Sequence, residues 1–176
     1  MLKLTTLVTG LVLIAGAASA QQTNPVAEAI ATEAHTNAAN MVSAAEAMPA
    51  EKYVYKPSPQ QISFADLIYH AAVANHALCG AISGEKAPEL TVTAAGTKEA
   101  LVGQMKQSFA FCDKAFATID TAKLGDQVQM MGRSVTKAWV IVHLALDYGD
   151  HYSQAAMMLR SNGIVPPSSQ RRRPAK

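Results

Sequence analysis

Aromatic residues make up only 6% of the chain and charged residues 16%, and 176 positions hold just two cysteines, ten glycines and eight prolines. Sheets draw on aromatic and β-branched side chains, whereas alanine enters a helix without losing side-chain entropy. Thirty-three alanines beside so few aromatics therefore exclude an all-β fold and favour helix throughout. With 49% apolar residues the chain is not intrinsically disordered, and its length suits one domain around one core. Several catalytic signatures are missing too. There is no Cys-x-x-Cys-His, which excludes a c-type haem bundle, and no Glu-x-x-His pair, which removes the ligands of a carboxylate-bridged di-iron bundle. His-Glu-x-x-His, Gly-x-Ser-x-Gly and a glycine-rich phosphate loop are also absent.

The first twenty residues read as an address. Lys3 places a positive charge before the apolar run Leu7 to Ala15, and Ala18-Ser19-Ala20 supplies the small residues that signal peptidase accepts. The expectation is a signal peptide over residues 1–20, cleavage after Ala20 and a periplasmic or secreted product with no membrane span. Such a compartment permits disulfides. Cleavage would leave 14 basic and 13 acidic residues, and Arg171, Arg172, Arg173 and Lys176 take four of the positive charges into the end of the chain. The body is then slightly acidic, so a nucleic-acid-binding face is not indicated. Residues 169–176 read as a basic, disordered tail.

Between leader and tail, residues 21–168 read as an all-α, four-helix bundle. The first helix runs from Pro25, capped by Asn24, to about Ala47, with Ile30, Ala34, Met41, Ala45 and Met48 as its stripe. Met48-Pro49 to Ser58-Pro59 must be an extended loop, with Tyr53 and Tyr55 placed to cover the bundle end. The second helix starts near Ser63, buries Phe64, Leu67, Ala71, Ala74, Leu78 and Ile82, and stops at Ser83-Gly84. Thr97 caps the third, whose seam is Leu101, Met105, Phe109, Cys112, Phe116 and Ile119. The fourth is expected from near Ser134, with a seam of Val135, Trp139, Val142 and Leu146, ending at Asn162-Gly163. Trp139 and the methionines are expected in the core.

Chemistry falls to histidine and aspartate on helices two and four. His143, Asp147 and His151 stand at i, i+4 and i+8 and form one polar ridge. The two histidines are about 12 Å apart along the axis and do not readily share an ion, but Asp147 and one histidine can. A third ligand must come from another helix, and His70 is the candidate. Two imidazoles and a carboxylate suit Zn²⁺, Fe²⁺ or Ni²⁺, between which softness and geometry do not choose. From spacing alone, such a ridge is more often a solvated helix face than a metal site.

The block Asp147-Tyr148-Gly149-Asp150-His151-Tyr152-Ser153-Gln154, continuing through Leu159-Arg160-Ser161-Asn162-Gly163-Ile164-Val165-Pro166-Pro167-Ser168, resembles the last helix and C-terminal segment of the DinB-like superfamily. Ala45 to Tyr53 before Lys56-Pro57, and Ser63 to His70 before Asn75 and Cys79, are similar to an exported branch of it. The resemblance covers about residues 25–168. It implies a four-helix bundle whose metal is held by one histidine on helix two and a His-x-x-x-His pair on helix four. His70 and His151 match two of those positions, and Asp147 stands where the family usually has histidine. The resemblance thus implies metal ligands His70, Asp147 and His151, a divalent ion (Zn, Ni or Fe) and a metal-dependent enzyme of hydrolase or thiol-transferase type acting on a small molecule. A non-catalytic metal- or ligand-binding bundle, and a structural exported domain with a degenerate site, stay open beside it. Homodimers are common in the family, and the resemblance allows one here.

The remaining polar residues have plainer readings. His143 is expected to support the cluster by hydrogen bonding, His76 and His35 to lie on flanks, Asp150 to face solvent and Gln154 to pack or meet solvent. Arg160 suits the negative end of the helix dipole. In an exported protein Cys79 and Cys112 are expected to pair, closing a loop of 33 residues; two buried thiols are the alternative.

Overall fold

The computed structural model describes residues 24–170; the expected leader with its cleavage point, and the chain from Arg171 onward, lie outside the described residues. Four long helices carry the architecture: α1 (Pro25–Ala47), α2 (Phe64–Ser83), α3 (Lys98–Ala117) and α4 (Lys137–Ser161). Each starts where a side chain accepts hydrogen bonds from otherwise unpaired first-turn amides. Asn24 accepts from Val26 and Ala27, Thr97 from Ala100 and Thr136 from Trp139. Ser63 and Asp66 form a reciprocal capping box at α2, which ends on Gly84 at φ 78°, a left-handed turn that costs glycine nothing. In cross-section α2 packs on α3 and α4, and α1 on α4 and α3, so α1 and α2 sit diagonally. No helix among the described residues is long and apolar enough to cross a membrane.

The seams expected for α1, α2 and α3 hold in large part: Ala34, Met41, Ala45, Leu67, Leu78, Leu101, Met105 and Cys112 are all buried. Tyr53 covers the bundle end, donating its hydroxyl hydrogen to the Ala45 carbonyl at 2.7 Å and meeting Phe64 edge-on at 5.1 Å. Burial holds its hydroxyl proton far more firmly than in water. The linker before α3 is tied down by buried Gln104, whose amide oxygen accepts from the Thr91 and Val92 amides at 2.8 Å each.

Four expectations need correction. The fourth helix does not start at Ser134, because β1 (Gln127–Met130) and β2 (Arg133–Thr136) form an antiparallel hairpin pairing Val128 with Val135. Met131 and Gly132 both have positive φ, the mark of a tight turn matched to the strand twist. The α4 seam is also misplaced. Val140, Leu144, Tyr148, His151, Ala155 and Leu159 face the core, whereas Val142 and Leu146 are exposed. Trp139 is half-buried, and Met131 and Met157 are exposed, so the core does not claim every methionine. Finally, order continues past residue 168. A single helical turn, α5 (Pro167–Gln170), is held by the Tyr152 hydroxyl, which donates to Ser168 Oγ at 2.6 Å and accepts from the Ser168 amide at 2.9 Å.

Cys79 and Cys112 are bonded, joining α2 to α3 across a Cα–Cα distance of 5.1 Å with both residues buried. Beside the bridge the Asn75 amide donates to Ser108 Oγ at 2.8 Å. Closing a 33-residue loop removes about 3 to 4 kcal/mol of chain entropy from the unfolded state. Replacing both cysteines with alanine is expected to lower unfolding stability by about that amount; urea denaturation of the variant and of the oxidised wild type measures it.

Candidate metal centre

His70 comes from the second turn of α2, flanked by buried Leu67 and Ala71, and its exposed side chain lies at the edge of the bundle. Asp147 and His151 come from one side of α4, one turn apart. Because the buried arc of α4 runs through Leu144 and Tyr148, successive members of the polar ridge go progressively inward. His143 is half-buried, the Asp147 side chain is 19% exposed and His151 only 5%.

His151 Nδ1 lies 3.2 Å from Asp147 Oδ2, and the His70 ring meets the His151 ring edge-on with centroids 5.0 Å apart. The structure thus brings the three expected ligands into one neighbourhood, His151 touching both others. It does not close them round a point: among the described residues no three histidine, cysteine, aspartate or glutamate side chains stand ready to hold a metal ion. Asp147 Oδ2 is nevertheless buried and accepts no hydrogen bond of good geometry. A buried carboxylate oxygen without a donor carries a desolvation cost that a proton or a cation would offset.

His143 turns away from the pair, stacking on Trp139 at 4.6 Å and 12°, with the Arg133 guanidinium 5.4 Å from the indole centroid. The expected hydrogen-bonded support is therefore replaced by a stack. Asp150 is exposed and accepts from Gln154 Nε2 at 2.7 Å, as solvent-side residues do. His35 is an exposed flank residue 3.5 Å from Asp113.

Two features escaped the sequence reading. Tyr148 places its hydroxyl in the core without a hydrogen-bond partner, its ring edge-on to Phe109 at 5.1 Å. Burial, reinforced by the charges of Asp113 and Asp147, pushes its proton affinity far up. The tyrosine is visible in the sequence one position after Asp147, but only the rotation of α4 shows that it points inward. The second feature is a groove of about 590 Å³ beside His70, lined by Lys56, Gln60, Gln61, Asp66 and Tyr69. Hydrogen bonds from Ser63, and then the Lys56 charge, keep the Asp66 carboxyl below its ordinary range despite some burial. Half of the groove comes from an irregular loop, which no periodicity marks.

The sequence profile of the DinB superfamily matches residues 33–155, most of the chain and both halves of the ligand set. The chain belongs to the DinB superfamily. Solved structures agree with this fold. A DinB-like protein from Bacillus subtilis superposes with a TM-score of 0.64 at 16% identity, covering 77% of this chain and 92% of that one. Another from Bacillus cereus gives 0.65 at 12% identity, covering 80% and 95%. A search among curated proteins returned no match. In this DinB bundle the hairpin β1–β2 is placed just ahead of α4, where Thr136 ends the second strand and caps the helix.

His76 lies away from the candidate ligands, edge-on to Phe111 at 5.9 Å, with Nε2 buried and unpartnered. Burial disfavours its charged form and lowers its pKa below 6.5. The unfolded chain binds this proton more readily, so stability is full above about pH 6.5 and falls as pH drops below it. Stability curves measured between pH 7.5 and pH 5 are expected to be flatter for His76→Phe than for wild type; parallel curves would contradict the assignment.

Proposed function

We propose that this DinB bundle binds a divalent ion through His70, Asp147 and His151 and acts, as a metal-dependent enzyme, on a small molecule received in the groove beside His70. The observation that carries the reading is the buried Asp147 Oδ2, which lacks a hydrogen-bond donor yet stands 3.2 Å from His151 Nδ1. Two donors that share one ion at about 2.0 to 2.2 Å stand about 3.0 to 3.5 Å apart, so this pair is spaced as two corners of a coordination shell. His70, in ring contact with His151, is the third donor and needs a side-chain rotation to complete the set. Zinc, nickel and iron all accept such a set.

Bound there, the ion would polarise a substrate oxygen or activate a water or thiolate nucleophile. The chain contributes the rest. Lys56, Gln60, Gln61 and Tyr69 offer a charge and hydrogen-bonding groups along the groove, and His70 links that groove to the buried pair. Tyr148, buried and edge-on to Phe109, keeps water from the inner face of the pair. Hydrolase and thiol-transferase chemistry both fit this arrangement. A second reading, a bundle whose site has degenerated into a hydrogen-bonding ridge, is favoured by the open state of the trio.

We further assign residues 1–20 as a cleaved leader, which makes the protein periplasmic or secreted. The Cys79–Cys112 bridge supports this, since such bonds persist in oxidising compartments.

Untagged protein is expected to carry about one equivalent of zinc, nickel or iron by elemental analysis and to start at Gln21 by N-terminal sequencing. Metal added at about a hundred times its dissociation constant should stabilise the fold by about 2.7 kcal/mol, an effect lost in His151→Ala and weakened in His70→Ala. Absence of metal, together with no thermal shift on adding any of these ions, would leave the degenerate site as the correct reading.

A further inference from the structure

The groove beside His70 is rich in uncommitted hydrogen-bond donors. Asp66, Tyr69 and His70 of α2 form one wall, and the loop with Lys56, Gln60 and Gln61 forms the other. Lys56 and both glutamines are exposed, and among the described residues none of their side chains has a hydrogen-bond or ion-pair partner. The backbone that carries Lys56 is nevertheless fixed. Tyr55 donates its amide to the Lys52 carbonyl and accepts from the Phe64 amide, at 3.0 Å each, and Pro57 restricts the chain on the other side. Asp66, the acid of the groove, is already engaged: Ser63 donates to its Oδ2 from the amide at 3.0 Å and from the hydroxyl at 2.6 Å, closing the α2 capping box. Lys56 acts on that carboxylate through its charge alone, so its ammonium keeps all its N–H donors for another acceptor. At about 590 Å³ the groove has the size of a small-molecule site.

We propose that the groove receives a small molecule bearing a carboxylate, that Lys56 binds this carboxylate, and that the reacting end of the molecule lies at His70. The inference rests on the metal-dependent reading above and names a substrate class for it. The donor set selects an anion. The Lys56 ammonium, the Gln60 and Gln61 amides and the Tyr69 phenol can each donate to a carboxylate oxygen, whereas a cationic group would meet Lys56 and find Asp66 committed to Ser63. The charge is matched to a monoanion. A phosphate dianion calls for a second cation or a guanidinium fork, and among the described residues none lines the groove. A divalent ion at the buried pair would act in the same sense: it and Lys56 bring three positive charges against the two negative ones of Asp66 and Asp147. Asp66, Tyr69 and His70 lie within about 6 Å along the α2 axis, so a molecule anchored across from them at Lys56 is held along the wall that ends at His70. Anchoring one end in this way orients the other, the contribution a non-reacting charge makes to a reaction.

The test uses the zinc-loaded, processed product of the full chain and hydroxamates, which chelate zinc through two oxygens. The monohydroxamates of succinic and adipic acid are compared with counterparts whose far carboxylate is replaced by an amide or an amine. Isothermal titration calorimetry is expected to rank the carboxylates about fivefold tighter than the amides and the amines weakest, with the gap narrowing as salt is raised. Lys56→Gln should remove that ranking and Lys56→Glu should reverse it, both with unchanged zinc content and helical circular dichroism. Zinc and hydroxamate binding with equal affinity for all three tails, at both chain lengths, would overturn the carboxylate assignment and leave the metal site standing. A carboxylate preference that survives Lys56→Gln would overturn the role of Lys56. A protein that takes up no zinc and binds none of the probes would overturn the metal site and this inference with it.

Discussion

The rotation of α4 about its own axis is the constraint on which the candidate centre depends. Only one side of a 25-residue helix can face the core, and here Val140, Leu144, Tyr148, Ala155 and Leu159 take it. That choice carries His151 inward beside them, leaves Asp147 at the boundary and turns His143 out to Trp139. A turn of α4 by one residue position, setting His151 where Asp150 stands, would bring His151 out to solvent. The packing that stabilises the bundle is therefore the same packing that selects which polar groups meet His70.

Helix α2 is set by two unrelated devices. At its start the Ser63–Asp66 capping box and the Tyr53 and Tyr55 carbonyls fix where the first turn begins, the latter accepting from Ala65 and Phe64. Toward its end the Cys79–Cys112 bridge pins it to α3. His70 lies between them, so its backbone is held from both directions while its side chain stays exposed toward the groove. Such a residue suits a ligand that must move: a fixed Cα with a free rotamer lets one imidazole swing toward a buried pair without disturbing the fold. The buried pair has no such freedom. His151 and Asp147 share one helix face, and their 3.2 Å separation follows from the i, i+4 geometry of α4 itself.

Most of the helical frame was legible in the sequence. Asn24, Ser63, Thr97 and Gly84 mark helix boundaries through their own chemistry, and the stripes of α1, α2 and α3 follow from periodicity. Where reading failed, two patterns competed. Val135, Trp139, Val142 and Leu146 form a helical stripe as regular as the true one, and tertiary packing chose the other. Val128 and Val135 are β-branched residues either side of Met131-Gly132, yet the helix that follows masks so short a hairpin. The disulfide was expected from compartment and residue count. His70 as a companion of His151 came partly from its place beside an apolar stripe and partly from family resemblance, because no spacing rule links residues 81 positions apart. The loop residues of the groove had no such guide.

In the proposed centre Asp147 and His151 are two sides of a metal site that His70 completes. Anomalous diffraction at the zinc absorption edge, from crystals grown with zinc, tests it most directly. A single peak is expected about 2.0 to 2.2 Å from a nitrogen of His151, an oxygen of Asp147 and a nitrogen of a rotated His70. A map with no peak there, and with Asp147 and His151 still in direct contact, would contradict it.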